Sequence, residues 1–172
     1  MKQQGLAGWL AIWMFGMAMS ASAVMIGEGT RELTLEGEYQ FSSELGRSFN
    51  VNLGLGLFIL DGFQVGLTGG VSDNDVVTML KGGGFAEYNF DVGHIFIPFL
   101  GGRALYSHTD LDDASEDSFV LGGYAGVKYF IAENIAVSIK YLFEWADDEI
   151  FFDESETKDT NSSIQLGMRF YF

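Results

Sequence analysis

The chain has no cysteine, which excludes disulfide staples, thiolate chemistry and zinc sites built on cysteine. It has one proline, Pro98. Basic residues are scarce: 9 Lys and Arg face 24 Asp and Glu, giving a formal charge of −15. Phosphate recognition needs clustered Lys and Arg, so no nucleic acid is expected as a partner. Beyond residue 23 there is no run of roughly 18 or more consecutive apolar residues, so a helical membrane protein is not expected. What the chain does have is 48% hydrophobic and 15% aromatic residues and 23 glycines. That content separates it from disordered acidic tails. Glycine at this level without a collagen-type period points to crowded strands or tight turns.

The 172 residues suit one folded domain. Residues 1–23 stand apart as a secretory signal peptide: Lys2, an uncharged apolar run from Gly5 to Met19, then the small-residue site Ala21-Ser22-Ala23. The mature domain is expected to span 24–172. Cleavage removes one base and no acid, moving the formal charge from −15 to −16.

From Glu32 onward, eight segments of about ten residues alternate with period two. They are 32–41, 48–58, 63–71, 76–90, 97–107, 119–130, 135–145 and 163–172. In the first, Leu33, Leu35, Tyr39 and Phe41 oppose Glu32, Glu36 and Glu38. In the seventh, Val137, Ile139, Tyr141, Phe143 and Trp145 oppose Ser138, Lys140 and Glu144. The polar faces together carry Glu32, Glu36, Glu38, Glu87 and Glu144 with Lys81, Arg103, Lys128, Lys140 and Arg169. Connections alternate between tight turns (60–62, 91–94, 132–134) and looser ones, the longest being 108–118 and 146–161. Short turns at one end and longer loops at the other are the habit of outer-membrane barrels, with both termini periplasmic for an even strand count. Outward aromatics gather near segment ends: Phe41, Phe49, Tyr106 and Trp145 at one, Phe63, Phe90, Tyr129 and Phe172 at the other. They read as two interfacial girdles. The expected fold is all-β, an eight-stranded antiparallel up-and-down transmembrane β-barrel.

The last segment, Gln165-Leu166-Gly167-Met168-Arg169-Phe170-Tyr171-Phe172, resembles the C-terminal assembly signal of outer-membrane barrels, with Gly167, Phe170 and Phe172 at its marked positions. Glycine-rich strands such as 121–130 resemble the small barrel family that includes outer membrane proteins A and X. The resemblance covers Glu32 to Phe172. It implies the outer membrane of a Gram-negative envelope as location, with outer-membrane lipid, lipopolysaccharide and the barrel-assembly machinery as partners. No residues remain for a peptidoglycan-binding domain, so cell-wall tethering of that two-domain kind is not expected.

An eight-stranded barrel is just wide enough for its side chains to fill. The five acids and five bases of the inner face can pair, and leaving them unpaired would be costly. A plugged, salt-bridged lumen is therefore expected. The two long loops hold half the acids: Asp110, Asp112, Asp113, Glu116 and Asp117 in one; Asp147, Asp148, Glu149, Asp153, Glu154, Glu156 and Asp159 in the other. Such a rim resists aggregation; divalent cations or a surface partner are the sharper reading. Neither loop has an EF-hand pattern, so no metal site is assigned. The apolar trio Ile150-Phe151-Phe152 either extends a strand beyond the membrane or meets a partner.

No catalytic residue and no cofactor is assigned. Ser107 and His108 are neighbours, but neighbours in a strand point to opposite faces. A nucleophile and base need spatial approach and a third, orienting group. His94 falls in a turn. Gly82-Gly83-Gly84 lacks the lysine and hydroxyl of a phosphate loop and reads as relief of crowding inside the barrel. The expected function is a non-enzymatic barrel serving envelope integrity, surface binding or adhesion through its acidic loops. A small gated channel and a lipid-modifying enzyme stand as alternatives.

Overall fold

The computed structural model describes residues 26–40, 48–73, 78–111, 114–147, 151–153 and 156–172. Within its strands, the side chains of 38–40, 48–49, 72–73, 78–79, 109–111, 114–116, 151–153 and 156–158 are not among those described. Eight long strands form a closed antiparallel barrel: β1 (Arg31–Gln40), β2 (Ser48–Leu60), β3 (Phe63–Asp73), β4 (Thr78–Asn89), β5 (Phe96–Leu111), β6 (Ala114–Ala132), β7 (Ile135–Ala146) and β10 (Thr160–Tyr171). Two short strands, β8 (Phe151–Asp153) and β9 (Glu156–Lys158), pair as a separate hairpin between β7 and β10. Each barrel strand pairs with its sequence neighbour, and β1 closes on β10. Closure gives every strand two hydrogen-bonded neighbours, so the wall offers no open edge.

Burial follows the period-two pattern. Along β7, Ala136, Ser138, Lys140, Leu142, Glu144 and Ala146 are buried while the residues between them are exposed or nearly so. The sense is inverted relative to a water-soluble barrel. Leu53, Leu67 and Leu166 are 55%, 73% and 60% exposed, whereas Arg169, Lys128 and Glu32 are 2% or less. Water would not leave that apolar belt outside and those charges inside; a hydrocarbon surround does. Among the described residues no helix is long and apolar enough to cross a membrane, so the strands do the crossing. Tyr106 and Trp145 face outward near one end; Phe90, Tyr129 and Phe172 do so near the other. Phe41 and the side chain of Phe49 fall outside the described residues.

Tight turns set one end, the one the sequence reading assigns to the periplasm. Asp61-Gly62 joins β2 to β3, and Gly62 takes φ 74°, which a side-chain-bearing residue rarely adopts. Glu133-Asn134 joins β6 to β7. The outer end differs from the sequence expectation. Most of 108–118 is strand: β5 and β6 stay paired through His108↔Asp117, Thr109↔Glu116, Asp110↔Ser115 and Leu111↔Ala114. Backbone pairing needs no apolar face once both faces are wet, so acidic composition was a poor guide to loop here. In the last outer connection, Phe151-Phe152-Asp153 form β8, paired to β9 rather than prolonging a barrel strand.

Candidate functional site

The inner face is built by strand parity. Glu32 and Glu36 stand on β1, Glu87 on β4, Arg103 on β5, Lys128 on β6, Lys140 and Glu144 on β7, and Arg169 on β10. All eight are buried, and all face a lumen too narrow to keep them apart.

Arg169 is the centre. Its Nη1 donates to Glu32 Oε1 at 2.6 Å and to both oxygens of Glu87 at 3.2 Å. Its Nη2 reaches Glu36 Oε1 at 3.3 Å, and its Nε donates to Ser138 Oγ at 3.1 Å. One guanidinium thus ties three carboxylates from two strands, which suits its planar fork of five donors. Lys128 Nζ bridges Glu32 at 2.8 Å and Glu87 at 2.7 Å. Lys140 Nζ bonds Glu36 at 2.6 Å. Higher up, Arg103 Nε and Nη2 both donate to Glu144 Oε1, at 3.1 and 2.6 Å. Gln64 Nε2 and Thr34 Oγ1 donate to the Glu87 and Glu32 carboxylates. Four acids and four bases among these eight residues balance in charge, the condition under which burial is tolerable.

Aromatic rings complete the packing. Lys128 Nζ lies 5.9, 5.3 and 5.7 Å from the ring centres of Phe58, Phe99 and Tyr171. Arg169 stacks 4.6 Å from Phe99, and Lys140 lies 4.6 Å from Tyr124. Inward glycines seat these rings: a Cβ at Gly66 would come within 2.6 Å of the Phe85 ring, and one at Gly101 would overlap Tyr124. Of the triplet 82–84, Gly83 alone faces inward; Gly82 would place a Cβ in open space. The mid-lumen cavity among Glu36, Phe85, Glu87, Arg103, Lys140 and Arg169 measures about 20 Å³, room for about one water.

Apolar layers sit above and below the charges. Ile26, Phe58, Ile97, Phe130, Ala136 and Tyr171 cluster on the side of the tight turns. Leu105, Val120 and Ala146, on the adjoining strands β5, β6 and β7, form a smaller cluster on the other side. Ile26 precedes the first strand and is pinned by Gly62 N donating to its carbonyl at 3.1 Å. Neither Ile26 nor these inward rings featured in the sequence reading. The rings share parity with the polar inner residues (Phe58 with Asn52, Tyr171 with Arg169), and that parity is the signal that would have found them.

Lys81 sits on the inner face nearer the rim, its charge felt by Glu144. Glu38 pairs with Asn50 through β1 and β2; its side chain lies outside the described ones. In the acidic outer region, Asp147 Oδ1 accepts from Ser118 Oγ and Phe119 N, both at 2.8 Å. Asp117 meets His108 Nδ1 at 2.6 Å, both side chains being about half exposed. This hydrogen bond, with one from Tyr106, holds the Asp117 carboxyl below its ordinary range. Asp110 and Asp153 lie in β5 and β8 with side chains not described. Asp112, Asp113, Asp148, Glu149 and Glu154 fall outside the described residues. Ser107 is buried while His108 is exposed, so the two do not face each other. His94 is exposed in the connection between β4 and β5. Gly167 lies inward against Glu36 and Ser138. Phe172 exchanges two backbone hydrogen bonds with Arg31, at 2.9 and 3.0 Å, and so ends the closing seam. Phe170 pairs with Leu33 across that seam.

A closed antiparallel barrel, apolar outside and ion-paired within, defines a small eight-stranded transmembrane β-barrel of the outer-membrane kind. Solved structures share this fold. The N-terminal β-barrel domain of Pseudomonas aeruginosa OprF matches with a TM-score of 0.63 at 16% identity, over 85% of this chain and 99% of that one. Neisserial surface protein A matches at 0.57 and 18% identity, over 83% and 96%. A de novo designed transmembrane β-barrel matches at 0.53 and 15% identity, over 86% and 99%. No protein-family model and no curated protein matches the sequence.

Proposed function

We propose that this protein is a non-enzymatic barrel of the bacterial outer membrane, exported by a signal peptide cleaved after Ala23. In this reading its lumen is a structural plug, and its outward work lies in envelope integrity or surface binding through the acidic outer segments. The observation that carries the reading is the Arg169 cluster. A guanidinium shared by three carboxylates and two further lysines crowd the mid-lumen, and the cavity among them measures about 20 Å³, which supports a plug rather than an open pore. Opening one would separate buried charges, at a cost of several kcal/mol for each one left unpaired.

Lipid and lipopolysaccharide are then the surrounding partners, and the barrel-assembly machinery reads the last strand through Gly167, Phe170 and Phe172. Divalent cations or a surface partner would be met at the acidic segments. The test is single-channel recording of the purified protein in planar bilayers. We expect no stable open level. A steady conductance would replace this reading with that of a small channel. Lipid A with an altered acylation pattern in cells carrying the protein would replace it with that of an enzyme.

A further inference from the structure

The chain just before β1 has a structure of its own. Gly27-Glu28-Gly29-Thr30 is a β-turn closed by Thr30 N donating to the Gly27 carbonyl at 3.2 Å. Its third residue, Gly29, has φ 89°, a conformation glycine adopts at little cost. The turn doubles the chain back, so Ile26 tucks into the tight-turn end of the lumen. There it is 8% exposed and packs with Phe58 of β2, Ile97 of β5, Phe130 of β6, Ala136 of β7 and Tyr171 of β10. Every other member of that cluster stands on a wall strand; Ile26 does not.

Few ties hold residues 26–29 to the wall. Gly62 N donates to the Ile26 carbonyl at 3.1 Å, Gly29 N to the Phe58 carbonyl at 2.8 Å, and Glu28 N to Asp61 Oδ1 at 3.2 Å. By contrast, β1 is paired with β2 from Arg31 to Gln40 and with β10 from Glu32 to Gly37. One flank of the segment is also unpacked: a cavity of about 320 Å³ borders Ile26, Gly27, Gly62, Tyr88 and Ile97. Segments with few buried contacts open at a lower free energy than the fold as a whole.

Behind Ile26 stand buried charges. The Phe58 and Tyr171 rings of its cluster lie 5.9 and 5.7 Å from Lys128 Nζ. Lys128 is bound to Glu32 and Glu87, and all three are 1% exposed or less. The seat of Ile26 also depends on closure. It joins Phe58 on the second strand to Tyr171 on the last, which meet through the β1–β10 seam. Before that seam forms, the seat does not exist.

We propose that residues 26–29 are a strap that docks last, after the wall has closed, and opens first. Its opening admits water to Lys128, Glu32 and Glu87 while the wall stays paired. The strap is thus a stopper for the tight-turn end of the lumen, separable from the barrel it stops.

The chain has no cysteine, so a single introduced thiol reports access cleanly. Ala136→Cys places one on β7 at a position of 0% exposure within the Ile26 cluster. Val120→Cys places a control at 0% exposure in the other apolar cluster. Each protein, purified in detergent micelles, is treated with a cationic methanethiosulfonate. We expect the thiol at 136 to react slowly, yet faster than the barrel unfolds. Two strap variants should each speed that reaction, on the order of tenfold or more: Ile26→Ala by removing the seated side chain, and Gly29→Ala by straining the turn. A Cβ at Gly29 meets nothing within 4 Å, so the second variant introduces no clash. Neither should alter the reaction at 120, the unfolding temperature of the wall, or its rate of refolding into vesicles. Amide exchange at Gly62 N–H, whose acceptor is the Ile26 carbonyl, reads the same opening without any cysteine and should quicken in Gly29→Ala. Reaction at 136 only as fast as global unfolding would overturn the proposal. So would equal acceleration at 120, or a refolding rate that falls as far in Ile26→Ala as the opening rises.

Discussion

Arg169 holds three buried carboxylates at once. Replacing it with Met removes the donor shared by Glu32, Glu36 and Glu87 and leaves buried negative charge in excess. Breaking a buried ion pair on one side costs about 3–5 kcal/mol. We expect Arg169→Met to lower unfolding stability by that order in urea titrations with lipid vesicles. Arg169→Lys should recover only part of the loss, since an ammonium cannot span three carboxylates as a fork does. Gly101 tests packing in the same way. Gly101→Val drives a side chain into the Tyr124 ring, and overpacking costs about 1–3 kcal/mol. Adding Tyr124→Ala should return part of that, a non-additivity that a double-mutant cycle measures. At the outer rim, His108 donates to Asp117 and depresses its pKa. A depressed carboxylate stabilises the fold above its unfolded pKa, and the contribution is lost as pH falls through the folded value. We expect the Asp117 carboxyl to titrate below the ordinary aspartate value of 3.8 by carbon NMR and to move up toward it in His108→Ala.

At the scale of the strand, alternation is what the amino-acid order encodes most directly. A face that reads Val137, Ile139, Tyr141, Phe143, Trp145 has one place to go once its neighbours are Ser138, Lys140 and Glu144. The side each residue takes was therefore legible wherever alternation was clean. Legibility failed for two physical reasons. The first is that parity assigns a face but not a chemistry: Phe58, Phe99 and Tyr124 lie inward because the cations there favour ring faces, and their opposing glycines make room. The second is that strand pairing outside the membrane is free of any hydrophobic pattern, so the paired ends of β5 and β6 looked like loop. The charged inner residues were visible one by one. That Arg169 gathers Glu32, Glu36 and Glu87 was not, because it depends on stagger around a closed wall. The belt itself is testable. Leu53 is outward on β2 and 55% exposed. Leu53→Arg should destabilise the folded state by about 2–4 kcal/mol near the bilayer midplane, read from equilibrium refolding into vesicles. Arginine at the wet rim position Asp147 should cost far less through lipid contact.

Considered whole, the barrel is closed in three ways at once. Backbone pairing closes the wall, with the β1–β10 seam spanning Glu32↔Tyr171 to Gly37↔Leu166. Across that seam the inner charges add a second fastening, for Glu32 and Glu36 on β1 are bound by Lys128 on β6, Lys140 on β7 and Arg169 on β10. At the end of the tight turns a buried apolar cluster of Ile26, Phe58, Ile97, Phe130, Ala136 and Tyr171 packs the lumen as a third fastening. A molecule so fastened should keep its compact form in detergent until heated. We expect faster gel migration for unheated than for boiled samples, with the shift lost at a lower temperature in Arg169→Met.

The paired ends of β5 and β6 have a mechanical consequence. Beyond Tyr106, β5 continues five residues to Leu111, about 15 Å at the rise of a strand. Because those residues prolong wall strands without a break, they form a stiff mast rather than a tether. Its reach beyond Tyr106 is set by the barrel, because β5 runs unbroken from that end down past Arg103 on the inner face.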